Sequence, residues 1–228
     1  THRPAREKGN VRLLLLLLTL TVPVIARGNR PDWLIERPIS FSAWRQKATL
    51  HYIHSRLDPR ATSIRIEPTM IVIHWTGDQD LERSFRYFDR EKAEAGRKEM
   101  FAAGEVNVSV HFLIGRGGET YQLMDIETMG RHTIGLNRHA IGIENAGSQS
   151  HPLTREQRRA NARLIRYLCQ QKPRIQYLIG HYEYLNFENS HLFEERDPAY
   201  RSLKDDPGSA FMEALRRDLK DLQLKSRP

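Results

Sequence analysis

Met70-Ile71-Val72-Ile73-His74-Trp75-Thr76-Gly77 is the stretch from which the reading of this 228-residue chain starts. Its apolar, largely β-branched residues follow Pro68 and stop at Gly77. That is the pattern of a buried strand, since a helix would need a longer periodic stripe. His74 then falls at the carboxyl end of the strand. In open α/β sheets the loops leaving that edge form the crevice in which ligands bind. Two later runs end in the same way, Tyr177-Leu178-Ile179-Gly180-His181 and Ala140-Ile141-Gly142-Ile143-Glu144. With the three strands side by side, two imidazoles and one carboxylate converge on a single cleft.

Working outward, residues 27–39, with Pro31 and Pro38, read as an extended lead-in. Ser40 to Leu57 predicts a helix, because Trp44, Ala48 and Tyr52 stand four apart and Asp58-Pro59 stops it. The His51-x-x-His54 pair on that helix lacks further ligands nearby and reads as surface or packing histidines. Ile64 to Ile66 reads as a short edge strand, and Leu81 to Asp89 as a helix with a stripe of Leu81, Phe85 and Phe88. Glu91 to Glu105 is charged and without a period, and is expected to be a solvated loop. Val108 to Ile114 and Glu119 to Met124 flank Gly115-Arg116-Gly117-Gly118, a hairpin signal. The glycine spacing there matches no nucleotide fingerprint. His111 and Phe112 are expected on opposite faces of the hairpin. Thr154-Arg155-Glu156-Gln157 is a capping-box pattern opening a helix to Gln171, with Leu164, Ile165 and Leu168 as its apolar stripe. A long loop over 182–208 precedes a last helix from Ser209 that offers Phe211, Leu215, Leu219 and Leu222 to the core.

The fold class that follows is α/β, a single domain with a central mixed sheet flanked by helices. The expected organisation is a signal peptide over 1–26, an N-terminal extension with a helix over 27–63, the main domain over 64–222 and a tail over 223–228. The first part rests on a basic start (Arg3, Arg6, Lys8, Arg12), an apolar block from Leu13 to Ile25 and a Val24-x-Ala26 exit, the layout of a secretory signal. The apolar block is too short for a bilayer, which needs about 20 residues, so no stable membrane span is expected after processing. Export places the protein in a periplasm or outside the cell. Removing 1–26 takes away four basic residues and Glu7, lowering the formal charge from +8 to +5. A modest basic excess suits an anionic envelope polymer. No nucleic-acid module signature is present, so nucleic acid is not expected as a partner. Cys169 is the sole cysteine. It can form no internal disulfide, and its place near the end of an apolar stripe reads as an inert packed thiol.

A catalytic zinc site needs three nitrogen or oxygen donors and a position left for water. His74 and His181 lie at strand ends, and Asp205 or Asp206 can reach back from the loop. Spacing alone leaves open whether these are ligands or structural histidines.

The surrounding residues add a resemblance. Ile71-Val72-Ile73-His74-Trp75-Thr76, Ser109-Val110-His111-Phe112-Leu113-Ile114, Ile141-Gly142-Ile143-Glu144-Asn145, Gly180-His181 and Lys204-Asp205-Asp206-Pro207-Gly208 follow one another in a known order. It is the order seen in zinc-dependent N-acetylmuramoyl-L-alanine amidases of the amidase-2 type, whose fold is shared with the peptidoglycan recognition proteins. The resemblance runs over about residues 64–222. It implies one Zn2+ held by His74, His181 and Asp206, the last preferred to Asp205 because it directly precedes Pro-Gly with Lys204 two positions earlier. It implies Glu144 as catalytic carboxylate and Lys204 as a catalytic cation. Trp75, Thr76, His132 and Asn137 are then expected to contact substrate, while His111 matches a recurrent position that binds no metal. The loop from His181 to Asp206 is longer than in compact members of that family.

The expected activity is hydrolysis of the amide between N-acetylmuramic acid and L-alanine in peptidoglycan or muropeptides. The rival from the same fold is a non-catalytic muropeptide-binding protein, which need keep neither the ligand set nor Glu144. A metal-free adaptor for an anionic polymer would account for the charge but not for the ordered motifs.

Overall fold

Six strands form one mixed sheet in the computed structural model, which describes residues 30–96 and 98–228. The segment read as a signal peptide lies outside the described residues. In chain order the strands are β1 (Leu34–Glu36), β2 (Met70–Trp75), β3 (Phe112–Ile114), β4 (Thr120–Gln122), β5 (Ala140–Asn145) and β6 (Tyr177–Gly180). Their order across the sheet is β1-β4-β3-β5-β2-β6, and only the β3–β4 pairing is antiparallel. The helices are α1 (Ala43–Tyr52), α2 (Leu81–Asp89), α3 (Lys98–Ala102), α4 (Arg155–Gln171) and α5 (Ser209–Asp218).

The apolar run Met70–Trp75 (β2) is the next-to-last strand of this sheet, with β5 on one side and the edge strand β6 on the other. Its residues from Met70 to His74 are all buried, as a strand covered on both faces requires. Ile71 and Ile73 pack with Ile141, Ile143 and Leu178 against Leu164, Ile165 and Leu168 of α4 and Met212 and Leu215 of α5. Met70 and Val72 face the other way, onto Leu136, Tyr184 and Phe187. Each such side chain, taken fully out of water, contributes about 1.5–3 kcal/mol. Alternation along β2 therefore puts His74 on the face opposite α4 and α5.

Local signals set most helix boundaries. Asp80 caps α2 by accepting the Arg83 N–H, and Thr154 and Gln157 form the reciprocal capping box of α4. Ser42 caps α1, which ends at Tyr52 and passes into a π-helical turn over Ile53–Leu57, so the expected helix starts three residues later and widens its geometry at the end.

Three expectations are corrected. The short edge strand at Ile64–Ile66 is only an isolated bridge between Arg65 and Thr128. The sheet edge is built instead by β1, from the stretch read as a lead-in, pairing in parallel with β4. The Glu91–Glu105 loop contains α3 and a bridge between Lys92 and Val106. Asp32–Pro228 form one compact unit. The hairpin pairs as expected, over three residues per strand. Cys169 is half-buried, and burial raises its pKa. Among the described residues no helix is long and apolar enough to cross a membrane.

Candidate metal centre and cleft

Strand register builds the site. His74 stands opposite Glu144 across the β2–β5 pairing, and Ile73 opposite Gly180 across β2–β6, so His181 follows one step beyond, level with His74. The chain then turns through a 3-10 helix (His181–Phe187) and returns at Asp206, whose carbonyl accepts the Tyr182 N–H. The loop and three strand ends thus meet at one point.

His74 Nδ1 lies 3.0 Å from His181 Nδ1 and 3.2 Å from Asp206 Oδ2, and His181 Nδ1 lies 3.1 Å from the same oxygen. All three residues are buried. Two imidazole nitrogens and a carboxylate oxygen in a near-equilateral triangle are a donor set for a divalent ion. A tetrahedral zinc with bonds of about 2.0–2.1 Å sets its donors roughly 3.3–3.4 Å apart, close to the observed sides. The residues present fit the ion. Burial works to raise the Asp206 pKa, but hydrogen bonds from His181 and His74 outweigh it and hold the carboxylate well below its usual range. Burial, aided by His74, pushes His181 down to about 4, leaving a neutral imidazole able to coordinate.

Glu144 faces the same cleft, and its Oε2 is buried with no hydrogen-bond partner among the described residues. Burial pushes its carboxyl up to about 7, with Asp206 adding to the rise and His74 and Lys204 opposing it. Lys204 is exposed and lines the cleft, as do Trp75 and Thr76 at its mouth. Asp205 is exposed, whereas Asp206 is buried. The cleft has a volume of about 820 Å³. Thr76 Oγ1 also donates to the Asp78 carbonyl, which fixes the turn through Gly77 at φ +76°.

His132 and Asn137 both line the cleft but are engaged elsewhere. Asn137 Oδ1 accepts the backbone N–H groups of His132 (2.9 Å) and Thr133 (2.7 Å), so its oxygen holds the loop. His132 Nδ1 lies 3.1 Å from His74 Nε2. His111, read as core, is fully buried. Its Nδ1 accepts the Gly142 N–H, its Nε2 bonds the Thr128 carbonyl, and burial pushes it down to about 4.

Sequence reasoning gave no role to Asn145, Arg131 or Thr133. Asn145 Nδ2 donates to the His74 carbonyl at 3.0 Å, and its Oδ1 accepts from Asn161. The Arg131 guanidinium donates to the carbonyls of Met100, Gly104 and Val106 and lies over the Tyr52 ring, tying α3 and α1 to the cleft wall. An asparagine following Glu144 on a buried strand was a signal for the first; the other two depend on loop paths that no local pattern reveals. On the far wall, Tyr200 and Ser202 come from the long loop. Arg56 pins that loop through Glu195 at 2.9 Å and by stacking over Tyr200.

The family model for N-acetylmuramoyl-L-alanine amidase, of the Amidase_2 type, matches residues 65–209, and the chain belongs to that family. The enzyme class is therefore N-acetylmuramoyl-L-alanine amidase. Solved structures that share the fold include two amidases. One is the N-acetylmuramoyl-L-alanine amidase LysC from Clostridium intestinale URNW, with TM-score 0.52 and 19% identity, covering 86% of this chain and 100% of that one. The other is the endolysin amidase LysCS from the same organism, with TM-score 0.54 and 18% identity, covering 87% and 100%. No curated protein matches by sequence. The family model leaves out Asp32–Ser63, which nevertheless supplies β1, α1 and Tyr52 of the cleft wall.

Proposed function

We propose that this chain is an exported, zinc-dependent hydrolase that cleaves the amide bond between N-acetylmuramic acid and L-alanine in peptidoglycan or its muropeptide fragments. The observation that carries the metal reading is the buried triangle of His74 Nδ1, His181 Nδ1 and Asp206 Oδ2, with sides of 3.0–3.2 Å. Export rests on the basic and apolar layout of residues 1–26.

An amide is a poor electrophile, and water is a poor nucleophile near neutral pH. Zinc bound at such a site supplies a bound water of pKa about 7 and a Lewis acid for the carbonyl. The protein's own groups do the rest. Glu144, facing the same cleft with Oε2 unpaired among the described residues, takes the proton of the attacking water and returns it to the departing L-alanine nitrogen. Lys204 sets a positive charge beside the oxygen that becomes negative as the carbonyl turns tetrahedral. Trp75, Thr76, His132 and Asn137 form the wall against which the sugar and peptide lie, with Asn137 acting through the loop it holds. The wall from α1 and the long loop encloses the same groove from the other side.

The test is mass spectrometry of purified muropeptides incubated with the protein before and after metal stripping. Release of a stem peptide with a free L-alanine amino group, lost on stripping and regained with zinc, is expected. Retention of intact muropeptide under every condition, with binding preserved, would favour the non-catalytic binder instead.

A further inference from the structure

A metal-bound histidine must present a bare nitrogen to the ion and keep its proton on the other one, and the group that receives that second N–H fixes both the tautomer and the ring's direction. In this cleft the second nitrogen of His74 points at another histidine. His74 Nε2 lies 3.1 Å from His132 Nδ1, with the two rings nearly perpendicular at 88°. His132 Nε2 faces the Ala140 carbonyl at 3.4 Å. A carbonyl can only accept, so that contact places the His132 proton on Nε2 and leaves Nδ1 as an acceptor. The proton shared between the rings is then the one on His74 Nε2, so with an ion between His74, His181 and Asp206 it is Nδ1 that coordinates, in place of its hydrogen bond to Asp206. Thr133 Oγ1, 2.9 Å from His132 Nδ1 and 3.4 Å from His74 Nε2, completes the acceptor group. By contrast, His181 Nε2 is buried without a partner among the described residues. Of the two imidazoles, only His74 is braced.

A second feature is built around the same ring. Gly142 lies within the buried strand β5, where glycine weakens a strand unless something approaches the backbone closely. What approaches is His132. A Cβ on Gly142 would stand 2.8 Å from both Cδ2 and Cγ of that ring. The missing side chain is thus the seat of His132, and Asn137 holds the adjoining backbone in place.

We infer that His132 is a positioning residue, seated on Gly142, that accepts the Nε2–H of His74 and so commits Nδ1 of His74 to the metal. This rests on the metal reading above and goes beyond it, since it moves His132 from the substrate's partners to the ligand's. The brace is a neutral imidazole and hydroxyl rather than a carboxylate, so it orients His74 without adding negative charge to the centre.

The test is zinc affinity by competition with a chromophoric chelator on the full chain, for wild type, His132→Leu, His132→Asn and Gly142→Ala. It is paired with long-range ¹H–¹⁵N correlation of the histidine rings. His132→Leu and Gly142→Ala are expected to bind zinc about 10- to 100-fold more weakly. His132→Asn, whose Oδ1 takes the place of Nδ1, should recover most of the affinity, a rescue that loss of packing alone would not give. The His74 ring should read as the Nε2–H tautomer in the zinc-loaded wild type. Wild-type affinity in both His132→Leu and Gly142→Ala would overturn the inference while leaving the metal reading intact. If His132→Leu fails to fold, tight binding by Gly142→Ala overturns it alone. If the wild type takes up no zinc, the metal reading fails, and a His74 proton on Nδ1 would then dismiss the brace as well.

Discussion

Replacing Glu144 by glutamine is expected to stabilise the metal-free protein while removing its turnover. Glu144 is 9% exposed as a residue, Oε2 has no partner among the described residues, and burial raises the carboxyl pKa from 4.5 to about 7. In the unfolded chain the same group ionises near the ordinary value. Below that pH neither state carries the charge, and nothing is lost. As pH rises from 4.5 toward 7 the unfolded state releases its proton and the folded state keeps it, so the native state loses stability; above 7 the loss levels off. At about 1.4 kcal/mol per pH unit, that interval amounts to roughly 3 kcal/mol. Glutamine cannot ionise and removes this cost, although its amide inherits the same shortage of partners, so roughly 3 kcal/mol is the upper value. For a domain of this size each kcal/mol moves Tm by about 2–4 °C. Thermal unfolding in chelator should thus show Glu144→Gln several degrees above wild type at pH 7.5 and almost level with it at pH 4.5. With zinc restored, muropeptide hydrolysis should fall by about 10²–10⁴-fold. A variant no more stable than wild type at pH 7.5, or one that hydrolyses at an undiminished rate, would refute this role for the buried carboxyl.

His74→Ala removes one corner of the donor triangle and should abolish both zinc retention and hydrolysis; metal analysis of the purified variant that finds one zinc per chain would reject the assignment. Asp206→Ala should lose the metal, whereas Asp205→Ala, at an exposed position, should keep it, and the reverse order would exchange the two residues. Lys204→Met should lower kcat by about 10²–10³-fold with an unchanged urea midpoint, since the side chain is exposed; an unaltered kcat would remove it from the mechanism. Arg131→Ala leaves the carbonyls of Met100, Gly104 and Val106 without their donor. Only the Val106 carbonyl is fully buried, so at about 1–3 kcal/mol for a buried unpaired group it should lower unfolding free energy by at least about 1 kcal/mol, and urea curves that overlay the wild type would contradict the tie it makes.

Strands β2, β5 and β6 were legible in the sequence because they are covered on both faces and so read as unbroken apolar runs. Helices α2 and α4 were legible because their caps are local chemistry. The β1 edge was not. Leu34-Ile35-Glu36 is too short to alternate and becomes a strand only because β4, far along the chain, pairs with it. Ile64 to Ile66 has a strand's composition, but only one bridge forms there. Helix α3 carries no stripe of its own and is held by Arg131 from a distant loop. At the site, strand ends pointed to His74, His181 and Glu144, and the Pro-Gly context to Asp206. The family match over 65–209 bears out the resemblance built on those motifs. What no spacing could reveal was the engagement of His132 with His74 and of Asn137 with its own loop, since both follow from the path of residues 130–140 across β5.

The most direct measurement is X-ray absorption at the zinc edge on the protein loaded with one equivalent of zinc. The account predicts one tightly held ion per chain with only nitrogen and oxygen neighbours at about 2.0–2.1 Å, two of them imidazoles. A shell containing sulfur at about 2.3 Å, one imidazole or none, or an ion lost on simple dialysis would contradict it.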